Sequence, residues 1–232
     1  MRLKLNQNFN FTEENKKELF ANGCTFFKIA GEEINKNLRY WDGFIRDNPN
    51  LDDVCFKPPC SWDSPIKDRG VQHFHKLCLN NISRPEYSGN EGEKYFKQYL
   101  KYITEVNDFF YDIPTLLEGP SETNIQISRH NDCFLPHQDA HTKAHASLLV
   151  YLNDDWQGVF GGELVVVKEQ KLGEVEYVLE PFFGYCALID FSKHDPKHQV
   201  RKILSLRAER IVFSTFLNRE GNNEQIDYST YS

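Results

Sequence analysis

The sequence predicts a mainly β fold with flanking helices, in which an antiparallel sandwich or jelly roll packs against an N-terminal helical part. Two observations lead to this prediction. Short runs of β-branched and aromatic residues recur after residue 120, and the strongest helical periodicity lies before it. At 232 residues we expect one domain over 1–232. In it, 1–120 supply helical support and a covering loop, 121–217 the jelly-roll core, and 218–232 a polar tail.

The N-terminal part begins with a helix and continues into an irregular stretch. Thr12, Glu13 and Glu14 predict a helix start, because a side-chain oxygen and negative charge both favour that end. Gly23 predicts the left-handed residue that ends the helix. Between Asn48 and Pro85 the density of turn-forming residues predicts a long loop, and such loops often cover a site.

A second helix is expected from Glu91 to Phe110. Apolar residues recur there every three or four positions, which is the period of an amphipathic helix that packs on a sheet. We expect this stripe to form core and to carry no chemistry. Its members are Tyr95, Phe96, Tyr99, Leu100, Ile103, Val106 and Phe109 or Phe110.

The runs after residue 120 are expected to form strands, because β-branched and aromatic residues fill them and Gly, Asn, Asp or Pro separate them. A sandwich or jelly roll accommodates strands at this spacing. The runs are TNIQIS, HASLLVYLN, GELVVVKE, VEYVLEP, GYCALIDF, HQVRKIL and RIVFSTFL.

The composition limits the class of function. The chain is 40% hydrophobic and 14% aromatic, as in globular proteins, and its net charge of -7 disfavours nucleic acid as a partner. We expect neither a secretory leader nor a membrane span, and the scattered cysteines indicate reduced thiols. The prediction is a soluble, cytoplasmic protein that acts on a small molecule or a peptide. Its oligomeric state stays open.

Two candidate metal ligands stand just ahead of a predicted strand. His137 and Asp139 are one residue apart, so on a β-strand their side chains point to the same face. A third ligand must come from a later strand that the fold returns beside the first, and His198 meets this requirement. Two histidines and one carboxylate leave the remaining coordination positions open, which is the ligand set of non-haem Fe(II) oxygenases.

Other histidines compete for this role. His141 and His145 would share the face of His137 on a continuous strand, but we expect loop or supporting positions for them. His194 competes with His198, although it lies in a turn-forming context, KHDPK. Taken singly, His137 also fits a polar loop position, and His198 also fits a strand edge that faces water.

Five ordered motifs resemble the prolyl 4-hydroxylase-like branch of the Fe(II)/2-oxoglutarate dioxygenases. They are HQD, SLLVYLNDDW, GGEL, HQV and RIVFSTF, and they extend over roughly Asn124 to Leu217. The resemblance implies a double-stranded β-helix, which is a jelly roll, and hydroxylase activity. It implies Fe(II), 2-oxoglutarate and O2 as cofactors, with L-ascorbate as an optional addition. By this resemblance, His137, Asp139 and His198 would be the iron ligands.

The resemblance also assigns an anchor for the distal carboxylate of 2-oxoglutarate. Arg210, which opens RIVFSTF, matches the family's basic position, and a guanidinium binds a carboxylate through two parallel hydrogen bonds. Arg207 is the fallback, because the segment after the distal histidine is longer here than usual. Many relatives carry a tyrosine shortly before HxD. This chain has Ser128, Arg129 and His130 in that neighbourhood, so His130 is the candidate replacement.

Four further residues stay open between a role in the site and simple packing. Gly161 and Gly162 indicate either a backbone that approaches a ligand or a tight turn entering the next strand. Tyr151 either lines the interior or packs it. Trp156 is expected to be a core or rim aromatic.

The reaction that the resemblance implies is hydroxylation of an unactivated C–H bond in a small amino acid-like molecule or a prolyl residue. In related halogenases a small residue replaces the carboxylate ligand, whereas Asp139 keeps it here. Two other classes stay open. A cupin-type isomerase or lyase would bind a metal but would not need Arg210. A non-catalytic jelly-roll module would need neither the metal nor Arg210.

Overall fold

The computed structural model describes residues 9–47, 75–78, 91–111, 123–139, 144–170, 173–191 and 195–217. The expected polar tail, 218–232, and most of the expected covering loop lie outside these residues, as do His141 and His194. The helices are α1 (Glu13–Asn22), α2 (Glu32–Asp47) and α3 (Glu91–Tyr111). The strands are β1 (Phe9–Asn10), β2 (Cys24–Ile29), β3 (His75–Cys78), β4 (Thr123–Ser128), β5 (Phe134–His137), β6 (Ala146–Tyr151), β7 (Leu164–Gln170), β8 (Gly173–Leu179), β9 (Tyr185–Asp190), β10 (Lys197–Val200) and β11 (Arg210–Leu217).

The strands form two antiparallel sheets, so the fold is the predicted jelly roll with flanking helices. The larger sheet has the order β1-β2-β9-β6-β11-β4-β3, and the smaller has the order β5-β10-β7-β8. Neighbours in each sheet are mostly distant in sequence, because the chain crosses between the sheets as it winds. This crossing places β5 and β10 side by side, although about 60 residues separate them.

Alternation along β11 divides the core into two layers. Ile211 and Phe213 belong to the cluster between the larger sheet and the helices, whereas Val212 belongs to the cluster between the two sheets. In the helical layer, the ring of Phe213 stacks on Tyr99 of α3 with centroids 4.4 Å apart. The helices therefore cover one face of the larger sheet, and its other face is left to enclose the site.

The predicted helix boundaries agree with the structure. α1 follows Thr12 and ends at Gly23, whose φ of 77° is left-handed and whose N–H donates to the Leu19 carbonyl at 2.7 Å. The amphipathic pattern from Glu91 corresponds to α3, which ends one residue later than expected.

None of the helices in the described part of the chain combines the length and apolar character needed to cross a bilayer.

Among the strands that the sequence analysis did not predict are β2 and β3. β2 lies between α1 and α2 and pairs with β9, from Cys24 opposite Ile189 to Lys28 opposite Tyr185. β3 lies inside the stretch that was expected to be irregular, and it pairs with β4 at the edge of the larger sheet. That part of the loop prediction was wrong, because pairing with a neighbouring strand supplies order that local composition does not reveal.

Candidate metal centre

The smaller sheet brings the three predicted metal ligands together. His137 is the last residue of β5, and His198 on β10 lies directly opposite it in the antiparallel register. Asp139 follows two residues after His137. One potential ligand atom from each of the three side chains lies within 4.8 Å of the others. The Asp139 carboxylate oxygens are 3.8 Å from Nε2 of His137 and 3.4 Å from Nε2 of His198.

Asp139 reaches this cluster in a different way from the one expected. β5 ends at His137, so Asp139 is not on the strand and the alternation of a strand does not aim its side chain. Its backbone N–H instead donates to the Asp195 carboxylate at 3.0 Å, and the Gln138 amide donates to the Asp195 carbonyl at 2.7 Å. The segment ahead of β10 therefore holds the segment after β5 in place.

The imidazole of His198 is oriented by its own backbone. Nδ1 lies 3.1 Å from the Pro196 carbonyl, an acceptor, so Nδ1 carries the proton and donates it. Nε2 is then the nitrogen whose lone pair faces Asp139. A carbonyl that fixes the second ring nitrogen is the usual support of a metal-binding histidine, because it sets both tautomer and ring orientation.

Burial and the neighbouring carboxylate act on His198 in opposite directions. Burial lowers the pKa of the imidazole, whereas the hydrogen bond and charge of Asp139, helped by the Pro196 carbonyl and Asp195, raise it. The net effect is a pKa raised above the ordinary value of histidine. His198 and Asp139 are both buried. A divalent cation would replace the proton as the positive charge beside Asp139, and two imidazoles with one carboxylate suit iron(II).

A second polar centre lies at the start of β11. Arg210 is 1% exposed, its Nε donates to the Gly162 carbonyl at 2.9 Å, and its Nη2 donates to the Tyr151 hydroxyl at 3.1 Å. Within the described ranges it forms no ion pair with a carboxylate. A buried guanidinium without an anion is costly, so this arrangement suits an anionic ligand.

Tyr151 is a residue of this centre that the sequence left undecided. The guanidinium carbon of Arg210 lies 5.0 Å from the centroid of the Tyr151 ring, in addition to the hydrogen bond that Arg210 donates to the hydroxyl. Burial raises the pKa of Tyr151, although the Arg210 charge and hydrogen bond lower it in part. The phenol therefore keeps its proton at neutral pH. Because its oxygen accepts from Arg210, its own O–H remains available to donate to a ligand.

Two consecutive glycines bring the backbone before β7 close to neighbouring residues. The φ angles of Gly161 and Gly162 are 74° and 73°, a region that side chains rarely adopt. A Cβ on Gly162 would lie 3.0 Å from Trp156 and 3.3 Å from Cδ of Arg210, and one on Gly161 would lie 2.2 Å from the Lys202 carbonyl. Close approach to the side chain of Arg210 therefore explains Gly162, and close approach to the backbone of Lys202 explains Gly161.

The other candidates take different positions. Arg207 and His130 are exposed, so the structure does not bring either one to the buried centre beside Tyr151. Ser128 is buried opposite Arg210 in the register of β4 and β11, and its hydroxyl has no hydrogen-bond partner among the described residues.

Two further predicted positions lie away from the ligand cluster. His145 is buried against α3, where its Nε2 lies 3.1 Å from the Asn107 amide oxygen. Trp156, expected as a core or rim aromatic, is 6% exposed.

The two centres together define a class of protein. A jelly roll that encloses two histidines and an aspartate, with a buried basic residue at the start of its last strand, has the arrangement of a non-haem iron oxygenase. Residues 123–218 match the model of the 2OG-Fe(II) oxygenase superfamily. This segment, the jelly-roll core, is therefore similar to that superfamily, and the match supports a 2-oxoglutarate-dependent dioxygenase with Fe(II), 2-oxoglutarate and O2 as cofactors. The predicted resemblance is thereby confirmed.

Solved structures of the same fold cover nearly the whole chain. A Pseudomonas putida prolyl-4-hydroxylase matches with 14% identity and a TM-score of 0.63 over 90% of this chain and 99% of its own. A Trichoplax adhaerens prolyl hydroxylase, in complex with a hypoxia inducible factor peptide fragment, matches with 14% identity and a TM-score of 0.60 over 91% and 90%. A Burkholderia pseudomallei oxidoreductase of the 2OG-Fe(II) oxygenase family matches with 14% identity and a TM-score of 0.53 over 95% and 97%. At these identities the likeness concerns the fold. No curated protein matches the chain significantly.

Proposed function

We propose that this protein hydroxylates an unactivated C–H bond of a small amino acid-like molecule or a prolyl residue. In this proposal His137, Asp139 and His198 hold Fe(II). The convergence of their ligand atoms to within 4.8 Å is the observation that carries it. When bound, the metal with 2-oxoglutarate and O2 supplies the oxidising power, and the protein supplies orientation and exclusion of water.

The second part of the proposal concerns the cosubstrate. Arg210 and Tyr151 receive the distal carboxylate of 2-oxoglutarate, Arg210 through its charge and Tyr151 through its free O–H. Support comes from the burial of Arg210 and from its two hydrogen bonds to neutral oxygens, which fix the guanidinium while no carboxylate of the described residues pairs with it. A preorganised cation of this kind binds a carboxylate with little reorganisation.

Asp139 bears on the outcome of the reaction as well as on metal affinity. Its carboxylate is buried and is positioned by the Asp195 contact, so in this proposal it occupies a coordination position that a halide would otherwise take. Hydroxylation is therefore the proposed reaction. Which of the two substrate types is used is decided by experiment.

The decisive experiment measures succinate and product together. The purified protein is loaded anaerobically with Fe(II) and then mixed with 2-oxoglutarate, O2 and a panel of free amino acids and blocked prolyl peptides. NMR measures succinate, and mass spectrometry detects the gain of one oxygen by a panel compound. The proposal predicts metal-dependent succinate, and oxygen gained by one class of the panel. Metal retention without succinate in the presence of every compound would instead favour an isomerase or lyase, and absence of metal binding would favour a binding module.

A further inference from the structure

In the smaller sheet, the line of directly opposed residues that contains His137 and His198 extends across the neighbouring strands to Tyr177. His137 lies opposite His198, His198 lies opposite Val166, and Val166 lies opposite Tyr177 of β8. Residues opposite each other in antiparallel strands project to the same face. Neighbouring strands are about 4.8 Å apart, so the Cα of Tyr177 lies roughly 10 Å from that of His198. A phenol side chain spans much of this distance.

The surroundings of Tyr177 place its side chain on the interior face. It packs against the cluster between the sheets, to which Val166 belongs, yet it is only partly buried. Its hydroxyl makes no hydrogen bond to another residue of the described ranges. An interior tyrosine usually satisfies its hydroxyl through a partner, so a free hydroxyl at a partly open position is available to a ligand.

Two aromatic residues on the facing sheet belong to the same interior cluster. Phe216 lies near the end of β11, six positions from Arg210 and on the same face, and Phe191 follows β9. Their ring centroids are 6.2 Å apart. The interior face of β11 therefore carries Arg210 at one end and Phe216 toward the other, and the ligand cluster lies on the facing smaller sheet.

We infer that Tyr177 is a substrate-positioning residue, whose ring packs against the apolar group that carries the reacting C–H bond and whose hydroxyl donates to an acceptor on the substrate. This inference rests on the proposed function, because it takes the His137, Asp139 and His198 cluster as the reaction centre. It adds a substrate class: a molecule that presents an aliphatic or alicyclic group next to a carbonyl or other oxygen acceptor.

The first test measures the position of Tyr177 without turnover. The protein is labelled with 3-fluorotyrosine, the Tyr177 resonance is assigned with Tyr177→Phe, and 19F spectra are compared with Mn(II) and with diamagnetic Zn(II). Mn(II) is expected to broaden the Tyr177 signal strongly, and to leave that of Tyr40, in the helical layer, sharp.

The outcomes of this test separate the two proposals. Mn(II) that binds in a His198-dependent way but leaves the Tyr177 signal sharp would overturn the role of Tyr177 and leave the metal centre standing. Absence of Mn(II) binding would overturn the metal centre and the inference with it.

The second test measures kinetics with the compound that gains oxygen in the panel described above. Tyr177→Ala is expected to raise KM for that compound by roughly 3- to 10-fold, the range of one aromatic contact, and to increase succinate formed per product. KM for 2-oxoglutarate should not change. Tyr177→Phe separates the ring from the hydroxyl.

The matched control is Tyr185→Ala, which removes a partly buried tyrosine from the same cluster on the other sheet, where Lys28 lies over its ring. If both alanine variants change KM and coupling equally, Tyr177 has only a structural role.

Discussion

At the scale of single residues, the two centres suit ligands of opposite charge. The His137, Asp139 and His198 cluster offers two imidazoles and a carboxylate to a cation, whereas Arg210 offers a buried guanidinium to an anion. Each arrangement is unfavourable when buried, and each becomes favourable when its ligand binds. This complementarity predicts that substitutions at the two centres affect different ligands.

Loss of a metal ligand should abolish metal binding and leave the fold intact. We expect His198→Ala to weaken Mn(II) binding by more than about 100-fold, beyond the effect of losing a supporting hydrogen bond. Calorimetric titration measures this directly. His145→Gln is the control, because that histidine contacts Asn107 rather than the cluster. Equal losses in the two variants would contradict the assignment.

The anchor is tested by neutral and charged replacements. Arg210→Met should raise KM for 2-oxoglutarate by roughly 10- to 100-fold, since a hydrogen bond to a charged group contributes about 1.5–3 kcal/mol. Arg210→Lys keeps the charge but loses the paired geometry, so we expect an intermediate value. Arg207→Met, at an exposed position, should have no effect. A larger effect at Arg207 would establish it as the anchor.

The Tyr151 hydroxyl is expected to contribute less than the charge. Tyr151→Phe keeps the buried ring, and so its packing, but removes one donor to the carboxylate and one acceptor for Arg210. Because a neutral hydrogen bond contributes about 0.5–1.5 kcal/mol, KM for 2-oxoglutarate should rise by roughly 2- to 10-fold. Steady-state kinetics with saturating substrate measure this. An unchanged KM would exclude the hydroxyl from the anchor.

At the scale of elements, the turn that precedes β7 positions the side chain of Arg210. Gly162 supplies the carbonyl that holds Arg210, at a φ of 73° and with Trp156 only 3.0 Å from the position of an added Cβ. The turn therefore couples a backbone requirement to the position of a functional side chain.

Substitution of this glycine tests the coupling. Gly162→Ala should lower the free energy of unfolding by about 1–3 kcal/mol through backbone strain and should also raise KM for 2-oxoglutarate. Gly43→Ala in α2 is the matched control, because nothing lies within 4 Å of the added Cβ. There the helix should gain about 0.5–1 kcal/mol. Denaturant unfolding of the two variants gives the comparison, and a stable, fully active Gly162→Ala variant would contradict this explanation.

The elements that the sequence predicted correctly have strong local signals. α1 has its capping residues and Gly23, α3 has an unbroken amphipathic period, and β11 matches the predicted run from Arg210 to Leu217. β2 is short and lies between helices, and a short apolar run does not distinguish strand from helix. β3 gains its order from pairing with β4.

At the scale of the whole molecule, ligands should stabilise the fold that assembles their sites. The ligand residues come from two strands far apart in sequence, so an unfolded chain does not present them together. Mn(II) at 100 times its dissociation constant should add about 2.7 kcal/mol, which corresponds to roughly 5–10 °C in Tm for a chain of this size. Differential scanning fluorimetry measures the shift, and chelation should reverse it. The same shift in a variant lacking both His137 and His198 would place the stabilising metal elsewhere.

The sequence by itself determined the layered architecture, the order of its motifs and the identity of the metal-ligand candidates, because periodicity and residue chemistry are local properties. Only the tertiary structure decided that β10 lies beside β5, that Asp139 is held by Asp195 rather than by a strand, and that Tyr151 completes the centre at Arg210. It also separated buried Arg210 from exposed Arg207. These features are contacts between residues distant along the chain. Such contacts depend on how the two sheets close around a common interior, and no local sequence pattern encodes that closure.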